Sequence, residues 1–164
     1  MSGRLLIFVA IGIAAVALAV FFVMSSTKGA HLELTGKVLK VRTGALDEQH
    51  SVAVLDYRLE NPSDIRFVVR LLEVRLDKAD GSSEDGSQVS KRDLERLFAY
   101  NKFLGQRYNE SLSIRDLIAP HSAADRMTAV TFDVAVKELE SAKKLHLKIQ
   151  DVDGPVFETD TKVQ

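Results

Sequence analysis

The stretch that decides the fold is AVLDYRLENPSDIRFVVRLLEVRLD, residues 53–77. Its first residues alternate apolar and polar with a period of two, which is typical of a half-buried strand with one face in water. The Asn61-Pro62 pair ends this strand, because proline fixes φ and lacks a backbone donor. The inward positions of the strand are Ala53, Leu55, Tyr57 and Leu59.

A second strand fills residues 65–77 of the same stretch, and its apolar phase changes halfway. Apolar residues fall at Phe67, Val69 and Leu71, and then shift by one to Leu72, Val74 and Leu76. A shift of one position turns side chains to the other face. The pattern therefore predicts a β-bulge, or a strand that crosses between two sheets.

Further strand patterns lie on both sides of this stretch, together with one helix. We expect strands at about 31–42, 112–114, 130–134, 145–149 and from Val156, and an acidic loop at 80–87. Ser90 is a suitable N-cap and Gly105 a suitable stop for a helix of about 90–104, with Leu94, Leu97, Phe98 and Leu104 on one face. The prediction is a mainly β, antiparallel immunoglobulin-like β-sandwich over 31–160 with one inserted α-helix, followed by a C-terminal tail, 161–164.

The N-terminal segment predicts a single transmembrane helix. Leu5–Met24 is a run of 20 residues without a charge, and a helix of that length spans roughly 30 Å, the thickness of a bilayer core. Residues 1–4 form a short tail and 25–30 a polar linker. The alternative is a cleaved signal peptide, but its apolar core is shorter and Thr27-Lys28-Gly29 is a poor cleavage site.

Orientation and self-association follow from the same segment. A short tail with one arginine, Arg4, favours a cytoplasmic N-terminus and a periplasmic or extracellular domain. Six linker residues reach about 20 Å at most, so we expect the domain to stay close to the bilayer. Two small-xxx-small spacings, formed by Ala10, Ala14, Ala15 and Ala19, would let two anchors pack closely as a homodimer; the alternative is that these alanines only reflect how common alanine is in spanning helices.

Composition and motifs give no sign of catalysis. The chain has 22 basic and 23 acidic residues, which argues against a nucleic-acid partner, and it has no cysteine. No nucleophile motif or paired carboxylates in an apolar setting are present, so we expect a protein that is not an enzyme and needs no cofactor. The histidines lack the spacing of metal ligands, so we expect no metal site at His31, His50, His121 or His146.

Two passages resemble known extracytoplasmic domains. Val54-Leu-Asp-Tyr-Arg-Leu-Glu-Asn-Pro-Ser-Asp-Ile-Arg-Phe-Val-Val69 resembles the strand–Asn-Pro–strand core of late-embryogenesis-abundant (WHy) domains. Ile118-Ala-Pro-His121, with the strands at 130–134 and 145–149, is similar to the second half of telokin-like bacterial surface domains. The resemblance covers roughly 32–158 and implies an immunoglobulin-like sandwich with binding, adhesion or stress roles.

One helix face carries the candidate binding residues. Arg92, Arg96, Phe103 and Arg107 fall within a narrow arc if the helix continues, and arginines around an exposed ring fit a partner protein or anionic lipid. The alternative places Phe103 in the core. We therefore expect a membrane-anchored binding or scaffold protein, accessory to an envelope complex, with an unidentified membrane-proximal protein as partner and lipid contacting Leu5–Met24. The alternative function is a stress or desiccation-protection module of the water-stress type.

Overall fold

The computed structural model describes residues 12–22 and 33–163, and the chain divides into two units near residue 32. Residues 12–22 form helix α1 and are exposed. Within the described residues, no helix is long and apolar enough to cross a bilayer. The remaining residues of the predicted anchor, together with the predicted tail 1–4 and linker 25–30, lie outside the described part of the chain.

The second unit consists of strands, with two helices and one 3₁₀ turn. The longest strand pairings join β1 to β2, β2 to β8 and β3 to β9, and all three are antiparallel. In chain order the elements are β1 (Thr35–Ala45), β2 (Ser51–Asn61), β3 (Phe67–Asp77), β4 (Ser83–Asp85), β5 (Ser87–Gln88), α2 (Lys91–Tyr100), the 3₁₀ turn (Lys102–Leu104), β6 (Glu110–Ser111), β7 (Leu117–Ile118), β8 (Ser122–Phe132), α3 (Val136–Glu140), β9 (Lys144–Asp151) and β10 (Val156–Thr161).

Two five-stranded sheets enclose the main core. Sheet 1 has the order β1-β2-β8-β5, with β6 parallel to β8, and sheet 2 has the order β10-β9-β3-β4, with β7 beside β3. Apolar side chains of both sheets form one buried cluster, so the sheets lie face to face as a β-sandwich. Val163 also packs against this cluster, in the segment predicted to be a tail. The largest fully buried members of this main-core cluster include Tyr57, Phe67, Phe132, Leu55 and Leu59.

The phase change predicted in the second strand is a β-bulge. The pairing of β3 with β9 shifts between Val69 and Leu71, and Phe67, Val69, Leu72 and Val74 are all buried. The bulge keeps apolar side chains in the core on both sides of the shift.

The outer face of β2 is covered in its first half and in water only at Arg58 and Glu60, which corrects the prediction that this whole face lies in water. Val52, Val54 and Asp56 are buried, although they alternate with the residues of the main core. They belong to the outer face of sheet 1, where Val52 and Val54 form a second apolar cluster with Leu94 and Leu104. Sequence periodicity shows which face of a strand meets the main core, but not what covers the other face.

The covering element is the insertion, residues 89–111, between β5 and β8. Ser90 caps α2 as predicted, since its hydroxyl accepts a hydrogen bond from the Asp93 amide at 3.3 Å. The predicted helix of about 90–104 is confirmed over Lys91–Tyr100 and wrong only at its end, where α2 stops and a 3₁₀ turn, Lys102–Leu104, follows. The Asn101 side chain donates to the Ala45 carbonyl at 3.0 Å and joins this break to the end of β1.

The segment predicted as an acidic loop, 80–87, is partly strand. It contains β4, which belongs to sheet 2, and the start of β5, which belongs to sheet 1. The chain crosses between the sheets at Gly86, whose amide donates to the Val74 carbonyl at 2.8 Å. A Cβ at this position would lie 2.9 Å from the Phe132 ring, so only glycine fits here without displacement.

Candidate binding site

A buried ion pair fixes the insertion on sheet 1. The Nη2 of Arg42 donates to Oδ2 of Asp56 at 2.7 Å, and both side chains are less than a tenth exposed. The other Asp56 oxygen accepts from the Asn109 side chain at 2.9 Å. Burial of both charges demands such partners, since an unpaired charge in the interior is strongly unfavourable.

The same arginine reaches the backbone of the insertion. Its Nη1 donates to the carbonyls of Leu104, at 2.5 Å, and Gln106, at 2.8 Å. Its guanidinium carbon also lies 5.4 Å from the ring centre of Phe98 and 5.1 Å from that of Tyr108, within cation–π range. These contacts, together with Asp56, form the Arg42 clamp, which holds the end of the insertion in place.

The fixed insertion creates a trough beside α2. The cavity has a volume of about 720 Å³. Asp93, Arg96, Leu97 and Tyr100 lie at positions i, i+3, i+4 and i+7 of α2, so they form one stripe along the helix and one wall of the trough. The remaining lining residues come from the ends of sheet 1 and from the turn after α2: Ala45, Leu46, Val89, Asn101, Lys102, Phe103 and Thr131.

Two aromatic side chains of the trough are almost fully in solvent. Tyr100 is 88% exposed and Phe103 is 95% exposed, and Leu46 beside them is 43% exposed. The core alternative for Phe103 is therefore wrong. Large apolar side chains grouped around a concave surface are typical of an interaction site, whereas single exposed apolar residues are common on any protein.

The structure brings together only part of the predicted binding face. Arg96 and Phe103 both line the trough, but Arg92 and Arg107 do not. The predicted arc assumed a continuous helix, and the chain leaves the helix at Asn101 and turns again at Gly105, whose φ is +70°. Arg107 lies beyond this turn, where its Nε donates to the Asn109 carbonyl at 3.3 Å.

The predicted anchor packing positions fall in or beside α1. Ala14, Ala15 and Ala19 are exposed in this helix, and Ala10 lies outside the described residues. Exposed small side chains on a helix are compatible with close packing against a second helix, and the pairing stays a prediction.

Each of the three histidines that the structure describes, His50, His121 and His146, lies beside a carboxylate. His121 contacts Asp64 at 2.7 Å and His146 contacts Asp160 at 2.7 Å. The hydrogen bond that the His50 ring donates to the Asp47 carboxylate raises the pKa of His50 above its usual value. In the part of the chain that the structure describes, no group of three or more His, Asp or Glu side chains could hold a metal ion. His31 lies outside that part.

Sequence reasoning missed most of the trough. The clamp residues Arg42 and Asp56 lie 14 positions apart in the chain and carry no motif, and Leu46 lies outside every predicted strand and helix. The i, i+3, i+4, i+7 spacing of Asp93, Arg96, Leu97 and Tyr100 was the available signal, but its meaning depends on which helix face packs on the sheet.

Comparisons with known proteins do not identify the chain. No protein-family model and no curated protein matches it. Among solved structures, an uncharacterized β-sandwich protein of Clostridium difficile 630 is 8% identical with a TM-score of 0.42, and the match covers 79% of this chain and 86% of that chain. A protein of Bordetella pertussis described as ApaA is 12% identical with a TM-score of 0.40, covering 79% and 88%.

A third structure, the Iho670 flagellar-like filament, is similar over 98% of this chain and 97% of that chain, with 10% identity and a TM-score of 0.36. All three TM-scores are too low to relate the chain to these proteins, in fold or in function.

Proposed function

We propose that this chain is a single-pass membrane-anchored protein whose extracytoplasmic β-sandwich domain binds or scaffolds a membrane-proximal protein, as a non-catalytic accessory of an envelope complex. The observation that carries the proposal is the trough, with Tyr100 and Phe103 exposed beside it. Aromatic residues and arginine are enriched in protein interfaces, and both types line this surface.

The energetic argument concerns Phe103. Removing a phenylalanine side chain from water stabilises a complex by about 1.5–3 kcal/mol. The ring is 95% exposed in the isolated chain, so nearly all of that free energy is available to a partner. The Arg42 clamp fixes the neighbouring backbone at Leu104, which lowers the entropy cost of presenting the ring.

The membrane part of the proposal rests on the N-terminal sequence. Leu5–Met24 carries no charge, and its described portion, 12–22, is helical. The linker 25–30 is short, so an anchored domain has its partners among proteins near the bilayer. Anchor packing through Ala14, Ala15 and Ala19 would add a homodimer.

The finer fold assignment is also part of the proposal. We assign the domain to the immunoglobulin-like type, with β1, β2, β3, β4, β5, β8, β9 and β10 as strands A, B, C, C′, D, E, F and G. The supporting observation is the strand order, which becomes A-B-E-D in sheet 1 and G-F-C-C′ in sheet 2, the immunoglobulin arrangement. The insertion then lies between strands D and E. A relationship to WHy or telokin-like domains remains a prediction from sequence resemblance.

Site-specific crosslinking in native membranes tests the proposal. A photoreactive amino acid replaces Phe103, and the matched control places it at Ile114, which is 56% exposed but does not line the trough. We expect the chain in the membrane fraction after alkaline washing, and one defined adduct from position 103 only. The proposal fails if position 103 gives no defined adduct. Protection of unrelated proteins on drying, without an adduct, would support the stress-protection alternative instead.

A further inference from the structure

The proposed function, on which this inference rests, leaves the chemistry of the partner open. We infer that the trough binds an amphipathic α-helix of the partner protein, with apolar side chains entering the trough and acidic side chains facing Arg96 and Lys102.

The dimensions of the trough fit a short helical segment. Its helical wall runs from Asp93 to Tyr100, about 10 Å at 1.5 Å per residue. Two turns of a partner helix have the same length and present apolar side chains at i, i+3 or i+4, and i+7, the anchor pattern of helix-in-groove recognition. The residues of α2 that form the trough wall have the same i, i+3, i+4, i+7 spacing, so α2 and the partner helix can pack side by side.

The neighbouring sheet edge does not favour an extended peptide. Strand addition needs a row of free backbone groups along an edge strand. Two edge strands of sheet 1 end near the trough: the Ala45 carbonyl at the end of β1 already accepts a hydrogen bond from the Asn101 side chain, and β5 consists only of Ser87 and Gln88. So short an edge offers few hydrogen bonds to an added strand.

The charges around the trough select an acidic partner. Neither Arg96 nor Lys102 has an ion pair with another residue in the range 33–163 that the structure describes. Asp93, the acidic residue of the lining, already accepts a hydrogen bond from the Ser90 hydroxyl at 2.6 Å in the helix cap. A carboxylate on the partner would pair with cations that are free, which favours rapid and selective association.

Peptide selection on the full-length chain in lipid nanodiscs tests the inference. The probe is a phage-displayed library of random peptides about four helical turns long. We expect the enriched peptides to carry apolar residues at helical spacing with Asp or Glu beside them. Their affinity should fall at least about tenfold for Phe103→Ser and for the double variant Arg96→Glu/Lys102→Glu.

The control is Arg92→Glu, which makes on α2, outside the trough, the single charge reversal that Arg96→Glu makes inside it. It should leave binding unchanged, and selection on the double variant should enrich Lys and Arg instead. Enriched peptides without a charge preference or without helical spacing would overturn the inference. Phe103-dependent binding to protein-free vesicles would also overturn it, as would crosslinking from position 103 only to a second copy of the chain. If the inference fails but position 103 still gives a defined adduct to another protein, the proposed function stands. If position 103 gives no adduct, both the inference and the proposed function fail.

Discussion

Asp56 and Tyr57 are neighbours in β2 and point to opposite faces of sheet 1, and both are buried. On the outer face, Asp56 is bound by Arg42 and Asn109. On the inner face, the Tyr57 hydroxyl has no hydrogen-bond partner among the described residues. One strand thus carries a satisfied buried charge and an unsatisfied buried hydroxyl at consecutive positions.

The difference shows that the two layers are stabilised in different ways. The main core between the sheets depends on apolar volume, and the unpaired hydroxyls there, those of Ser51, Tyr57 and Thr128, are a small cost against a large cluster. The insertion covers a smaller apolar cluster and depends in addition on the Arg42 clamp, whose ion pair with Asp56 and bonds to the Leu104 and Gln106 carbonyls can be lost, although Arg42 Nε has no partner among the described residues. We therefore expect substitutions at Asp56 and Tyr57 to have opposite signs.

Asp56→Ala is predicted to have the largest effect. It leaves the Arg42 guanidinium buried without its carboxylate, which typically costs about 3–5 kcal/mol of unfolding free energy. Chemical denaturation of the full-length chain measures this loss, and hydrogen exchange should show that residues 89–111 lose protection first.

The control for this prediction removes both charges. Replacing a buried pair by apolar residues is often neutral or stabilising, so Arg42→Met/Asp56→Leu should recover most of the loss. If the double variant is as unstable as Asp56→Ala, the clamp acts through its backbone contacts to Leu104 and Gln106 rather than through the ion pair.

A comparison of two leucines separates the layers. Leu94→Ala under the insertion and Leu147→Ala in the main core each remove a fully buried side chain, and each should cost about 2–5 kcal/mol. Because Leu94 belongs to the second cluster, its loss should open residues 89–111 before the sandwich unfolds. Leu147→Ala should lower protection throughout both sheets, and hydrogen exchange distinguishes the two patterns. Equal, global loss in both variants would show that the insertion and the sandwich unfold as one unit.

Most of the long strands could be predicted because their signal is local, whereas the strand expected at 112–114 is wrong, since these residues lie in the connection between β6 and β7. The period-two pattern of β2, the phase change in β3 and the alternation of Leu145, Leu147 and Ile149 depend only on neighbouring residues. The crossing at Gly86 could not be predicted, since it depends on the nearby Phe132 ring, which is remote in sequence.

The candidate site was predictable only where its signal was also local. Arg96 and Phe103 were identified from helical spacing, but the break at Asn101 excluded Arg107 from the site. That break is fixed by a hydrogen bond to Ala45, which is 56 positions away in the sequence. The Arg42 clamp likewise joins Arg42 to Leu104 and Gln106, which are 62 and 64 positions away. These bonds go to backbone carbonyls, which every residue has, so no residue type in the sequence indicates them.

Tyr57→Phe is predicted to have the smallest effect, and to be stabilising. The variant keeps the ring in the main core and removes a hydroxyl that is buried without a partner, so the unfolding free energy at neutral pH should stay the same or rise by up to about 1 kcal/mol. A loss larger than that would mean that the hydroxyl is bonded in solution.

The pH dependence of the same variant makes the test more specific. Burial raises the pKa of the Tyr57 phenol above its usual value of 10.0. The contribution of the neutral phenol to stability is therefore complete below about pH 10 and is lost as the pH rises, because the unfolded chain releases the proton and the folded chain retains it. Above about pH 10, stability of the unmodified chain should fall by about 1.4 kcal/mol per pH unit more steeply than that of Tyr57→Phe. A parallel slope in Tyr57→Phe would show that the inner face of β2 opens to water before the domain unfolds.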